Sequence, residues 1–74
     1  MNNDTFTIRC YPKSELALCY FPESEAHVAL NHLNAWIRRC QPLQQALASC
    51  HQPRHAKFYS AQAVRHIIHF LGEP

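Results

Sequence analysis

Seventy-four residues, 47% of them hydrophobic and 16% charged, carry a formal charge of +2. This is the composition of one folded domain, near the lower size limit for a core that needs no staple, and it excludes a disordered tail. The apolar runs are too short to span a bilayer, and Met1-Asn2-Asn3-Asp4-Thr5 lacks the basic and hydrophobic regions of a signal peptide, so a cytoplasmic chain with no membrane partner is expected.

From the N-terminus, Thr5-Phe6-Thr7-Ile8-Arg9-Cys10-Tyr11 alternates apolar side chains at 6, 8 and 10 with polar ones at 5, 7 and 9, the period of a half-buried strand that Pro12 ends. A strand needs a partner, and the best candidate is the stretch around Lys57-Phe58-Tyr59. Ser14 is placed to cap a short helix that runs to about Tyr20, with Leu16, Cys19 and Tyr20 facing inward and Pro22 as its stop.

The longest helix is expected from near Ser24 to about Cys40, where Ala26, Leu30, Leu33 and Ile37 recur at three- and four-residue spacing. Trp36 flanks that stripe as a packing anchor, and the opposite face carries His27, Asn31, His32, Asn34, Ala35, Arg38 and Arg39. Pro42 suits the first turn of a third helix with Leu43, Ala46, Leu47 and Cys50 on one side. Gln52-Pro53-Arg54-His55-Ala56-Lys57 has no apolar period and reads as an exposed basic loop, long enough to act as a wing. Ser60 caps a last helix with Val64, Ile67, Ile68 and Leu71 on one face, Tyr59 stapling onto Val64 and Gly72 as the stop.

Six histidines and four cysteines call for a zinc test, which fails on spacing: there is no Cys-x-x-Cys, and the nearest groupings are Cys50-His51 with His55, and His66 with His69. Cys10, Cys19, Cys40 and Cys50 are expected to be reduced and buried, acting as small apolar residues. One glycine in the whole chain excludes a glycine-rich phosphate loop, and Glu15, Glu23 and Glu25 sit near helix starts, where the helix dipole accounts for them. No catalysis, no metal and no cofactor are expected.

Charge is unevenly distributed. Residues 1–35 hold Asp4, Glu15, Glu23 and Glu25 against Arg9 and Lys13, whereas residues 36–71 hold Arg38, Arg39, Arg54, Lys57 and Arg65 with no carboxylate. A short helix followed by a longer one with a basic end is how helix-turn-helix domains meet DNA. Arg38, Arg39, Arg54, Lys57 and Arg65 are the candidate phosphate contacts, and Asn31 and His32, with His27, the candidates for base edges. Glu23 and Glu25 at the start of the same helix oppose a groove-inserted N-terminus, which moves the expected contact to the basic end and the loop.

Lys13-Ser14-Glu15-Leu16-Ala17, Tyr20-Phe21-Pro22, Trp36-Ile37, Pro42-Leu43, Phe58-Tyr59-Ser60-Ala61-Gln62-Ala63-Val64 and the ending Leu71-Gly72-Glu73-Pro74 together resemble domain of unknown function family 4248, a family of short bacterial proteins. That resemblance spans almost the whole chain and implies the architecture rather than an activity. More loosely, the Glu-Leu-Ala helix is similar to that of winged helix-turn-helix regulators and excisionases, which implies transcriptional or mobile-element regulation.

The expectation is therefore a mainly α, small helix-turn-helix-like (winged-helix-like) domain over residues 1–74, with about four short helices and a short N-terminal strand. Its expected partner is double-stranded DNA. The alternative is a protein–protein interaction or homodimerisation module, which calls for a contiguous exposed apolar patch instead of converging cations.

Overall fold

The computed structural model describes residues 6–53 and 55–74. The fold is mainly helical: β1 (Tyr11–Pro12), α1 (Lys13–Tyr20), α2 (Ala26–Arg39), α3 (Gln41–Ser49), β2 (Phe58–Tyr59) and α4 (Ala61–Leu71). The strands pair antiparallel, Tyr11 opposite Tyr59 and Pro12 opposite Phe58, so the expected partner of the first strand is the observed one. They are separated in sequence by α1, α2 and α3, and the pair ties the start of the chain to the start of α4 instead of forming a hairpin.

The first strand is much shorter than its alternation predicts. Ile8 and Cys10 are exposed and Tyr11, of the opposite parity, is buried. The Phe6 and Tyr11 rings stack with centroids 5.3 Å apart, the Arg9 guanidinium lies 3.8 Å from the centroid of the same tyrosine ring, and the Tyr11 hydroxyl donates to the Thr7 carbonyl at 2.8 Å. In an extended strand residues 6 and 11 stand about 16 Å apart. The segment has folded back around Tyr11, a tertiary preference that overrides the local period. Thr5, the first residue of the expected strand, lies outside the described residues.

Helix α1 starts one residue before the expected cap. Pro12, at φ −56° and ψ 139°, holds the N-cap position with no side-chain bond, and Ser14 lies inside the first turn. Leu16 and Ala17 supply the buried face, and Cys19, expected inward, is exposed. The helix ends where Pro22 drives Phe21 out of the helical region, to φ −131° and ψ 69°, and the Phe21 N–H closes on the Ala17 carbonyl at 2.9 Å.

Ala29 and Leu33 of α2 are fully buried, Leu30 and Ile37 pack against the core from one side, and Ala26, expected inward, is exposed. A single residue, Cys40, at φ −111° and ψ 92°, caps the end of α2 and the start of α3. The Gln44 side-chain amide donates to the Arg38 carbonyl at 2.6 Å and to the Ile37 carbonyl at 3.4 Å, satisfying groups that a helix C-terminus leaves open. Leu43 is the buried contact of α3, with Leu47 and Cys50 beside it.

Helix α3 stops without glycine. The His51 N–H donates to Ala48 and the Gln52 N–H to Leu47, the two bonds of a Schellman cap, and His51 takes the left-handed position at φ 60° that glycine usually fills. At α4 the expected signals hold: the Ser60 hydroxyl accepts from the Ala63 N–H at 3.1 Å, and Gly72, at φ 89°, ends the helix with its N–H on Ile68. Tyr59, Ala63, Val64 and Ile67 complete the core, and the Tyr20 hydroxyl donates to the Gly72 carbonyl.

None of the four cysteines is buried as expected: Cys10 and Cys19 are exposed, Cys40 and Cys50 half-buried, and all four are free thiols. The buried small positions go to Ala17, Ala29 and Ala63.

Candidate functional site

Successive residues on a helix point about 100° apart, and α2 uses this to build two unlike flanks. On one, Trp36 is met edge-on by Phe21 and Tyr20, with centroids at 4.8 and 6.0 Å, and the His32 ring lies 5.1 Å from Phe21. Trp36 remains 37% exposed, a core-edge anchor as its sequence position predicts. On the other flank Leu30, Asn34, Ile37 and Arg38 line an open groove of about 960 Å³ that reaches across to α3 and to the loop before β2.

The groove floor is apolar: Leu30, Ile37, Leu47, Ala56 and Tyr59 line it, with Ala48 exposed on the α3 side. Three cations, Lys13, Arg38 and Lys57, stand among the lining residues, with amides from Asn34, Gln44 and Gln52. Among the described residues, no carboxylate, histidine or cysteine lines it. The sheet determines which cations meet there. The Lys13 N–H donates to the Lys57 carbonyl at 2.9 Å, continuing the β1–β2 pairing into the first turn of α1 and setting both lysines at the same end. The Lys13 ammonium lies 5.2 Å from the centroid of the Tyr59 ring, and burial pulls its pKa down. Burial pushes the Tyr59 hydroxyl up to about 12, so the phenol under this end stays neutral well past the ordinary tyrosine range.

Described residues of the expected basic loop form a wall of the groove. The Gln52 side-chain amide donates to the Phe58 carbonyl at 2.8 Å and its oxygen accepts from the Ser60 N–H at 3.0 Å, so one side chain closes the loop at its base. Pro53, Ala56 and Lys57 then line the groove and His55 is exposed.

Of the eight residues picked from sequence for nucleic acid, Arg38 and Lys57 come together at the groove, and His27 is exposed near the start of α2. Arg39, one position on, turns away from it and is exposed. Asn31 is exposed on the outer face of α2, His32 belongs to the aromatic flank, and Arg65 is exposed on α4 away from the groove. Arg54 lies outside the described residues. Sequence reasoning missed Lys13, Gln44 and Gln52, whose only signals were a cation at a helix start and two glutamines in polar positions.

Among the described residues no group of three or more His, Cys, Asp or Glu side chains could hold a metal ion, and no helix is long and apolar enough to cross a membrane. Among the described residues, fold and site together define a small four-helix domain whose longest helix borders an open, cation-lined groove. The chain belongs to the family described as a domain of unknown function, DUF4248, whose profile matches residues 7–74. No curated protein and no solved structure matches it significantly.

Proposed function

We propose that this is a non-catalytic cytoplasmic domain that binds double-stranded DNA, acting in transcriptional or mobile-element regulation, with α1 and α2 used as a helix-turn-helix pair. The observation that carries the reading is the outer face of α2. From Ala26 to Arg39 the helix holds no carboxylate, and His27, Asn31, Arg38 and Arg39 are all exposed along it. Lys57 stands across the groove from Arg38, extending the positive surface beyond the helix.

Glu25 caps α2 through its backbone, and its carboxylate lies 3.7 Å from the His27 ring nitrogen. This leaves acid at the start of the helix and cations at its end, a polarity that favours phosphate contact through the C-terminal turn. A groove lined, among the described residues, by apolar, amide and cationic side chains supports a binding role over catalysis.

Fluorescence anisotropy with a labelled 20-base-pair duplex tests the proposal. Binding should weaken steeply with salt, and Arg38→Ala with Arg39→Ala should reduce the slope of log K against log salt by about 2, at roughly 0.9 for each phosphate no longer neutralised. No binding at low salt, or an unchanged slope in a folded double variant, rules the reading out.

A further inference from the structure

We propose that the groove between α2, α3 and residues 52, 53, 56 and 57 docks an acidic amphipathic helix from a partner protein. The proposal stands apart from the DNA reading, because duplex phosphates have no means of covering an apolar floor. Leu30, Ile37 and Leu47, half-buried, leave apolar surface that apolar side chains would cover, whereas the exposed Arg38 and Lys57 would attract anions. An occupant carrying both is an amphipathic segment with carboxylates flanking a hydrophobic stripe, the helix-in-groove mode of recognition.

Three features of the site fit that occupant. The cations are at the margins: Arg38 and Lys57 are exposed, and neither forms an ion pair among the described residues. The floor has no charge that would repel an acidic ligand, since none of its described lining residues is a carboxylate. The wall of α3, from Gln41 to Ser49, extends about 13 Å at 1.5 Å per residue, long enough to accompany two turns of a docked helix. Ala48, exposed on that wall, leaves room for close approach.

The test uses three fluorescein-labelled 16-residue peptides: one with leucines at i, i+3, i+4 and i+7 among glutamates, one with lysines in place of the glutamates, and one with serines in place of the leucines. Only the Glu/Leu peptide should bind the full chain, with the other two at least tenfold weaker. Ala48→Glu and Lys57→Glu should each weaken it at least tenfold, Ala48→Lys should preserve or tighten it, and Arg39→Ala, off the groove, should leave it unchanged while still weakening DNA. Circular dichroism confirms that each variant is folded. Equal binding of the Glu/Ser peptide, equal binding of the Lys/Leu peptide, or full binding by folded Lys57→Glu overturns the proposal, whatever the duplex experiment gives.

Discussion

On one flank of α2 the rings of Tyr20, Phe21 and His32 gather around Trp36; on the other, Leu30 and Ile37 face an open groove with Arg38 and Lys57 at its margins. The helix is the same and the residues alternate along it, yet one flank is packed with aromatic rings and the other opens onto a groove. The cause lies in the connections. The short turn over residues 21–25 folds Phe21 against α2, whereas the Cys40 corner joins α3 to its end and leaves a groove open between the two helices. Ring packing thus lies on one flank, and the binding proposed above on the other.

Removing the indole should separate these roles most strongly. Trp36→Ala deletes both edge-on ring contacts and is expected to destabilise by about 2–3 kcal/mol, below the cost of a fully buried tryptophan because the ring is 37% exposed. Urea unfolding gives the loss, and anisotropy below the transition should still show groove binding; binding abolished in the folded variant would break the division.

Alkaline titration compares the flanks a second way. Burial pushes both Tyr20 and Tyr59 up to about 12 from the ordinary 10. A raised folded pKa means that the folded chain holds protons the unfolded chain has released. The contribution is therefore full below pH 10 and is lost as pH rises from about 10 to about 12. Tyr59→Phe should remove an alkaline loss on the order of 2 kcal/mol, and Tyr20→Phe a smaller one, since Tyr20 is only half-buried and screened by water. Urea midpoints at pH 9 and 11.5 read both; a larger effect at Tyr20 reverses the ranking.

The smallest expected effect is at the loop. Gln52→Ala removes the bonds to the Phe58 carbonyl and the Ser60 N–H, for about 1 kcal/mol, with faster amide exchange at Ser60 and no change around Trp36. Unchanged exchange at Ser60 would mean that the wall is held by other contacts.

The helices were legible because their signals are local. The three- and four-residue spacing in α2 and α4, the Ser60 cap and the Gly72 stop each act within one or two turns. The N-terminal segment was misread because Phe6, Arg9 and Tyr11 interact around one ring in a way that no alternation encodes. The end of α3 carries no glycine signal, because histidine occupies the left-handed position, and the loss of apolar period from Gln52 is what marks it. Of the candidate site, the basic character of Arg38 and Lys57 was visible. That Lys13 joins them, and that Arg39 does not, depends on strand pairing and helical phase.

The corner at Cys40 has a kinetic consequence. With one residue between helices, and the Gln44 amide holding the last carbonyls of α2, the angle between α2 and α3 has little slack. A ligand docked as proposed would not wait for the helices to part, and would lose little free energy to ordering them. Its association should proceed at the pace of encounter and orientation, with a single kinetic phase whose rate rises linearly with ligand concentration.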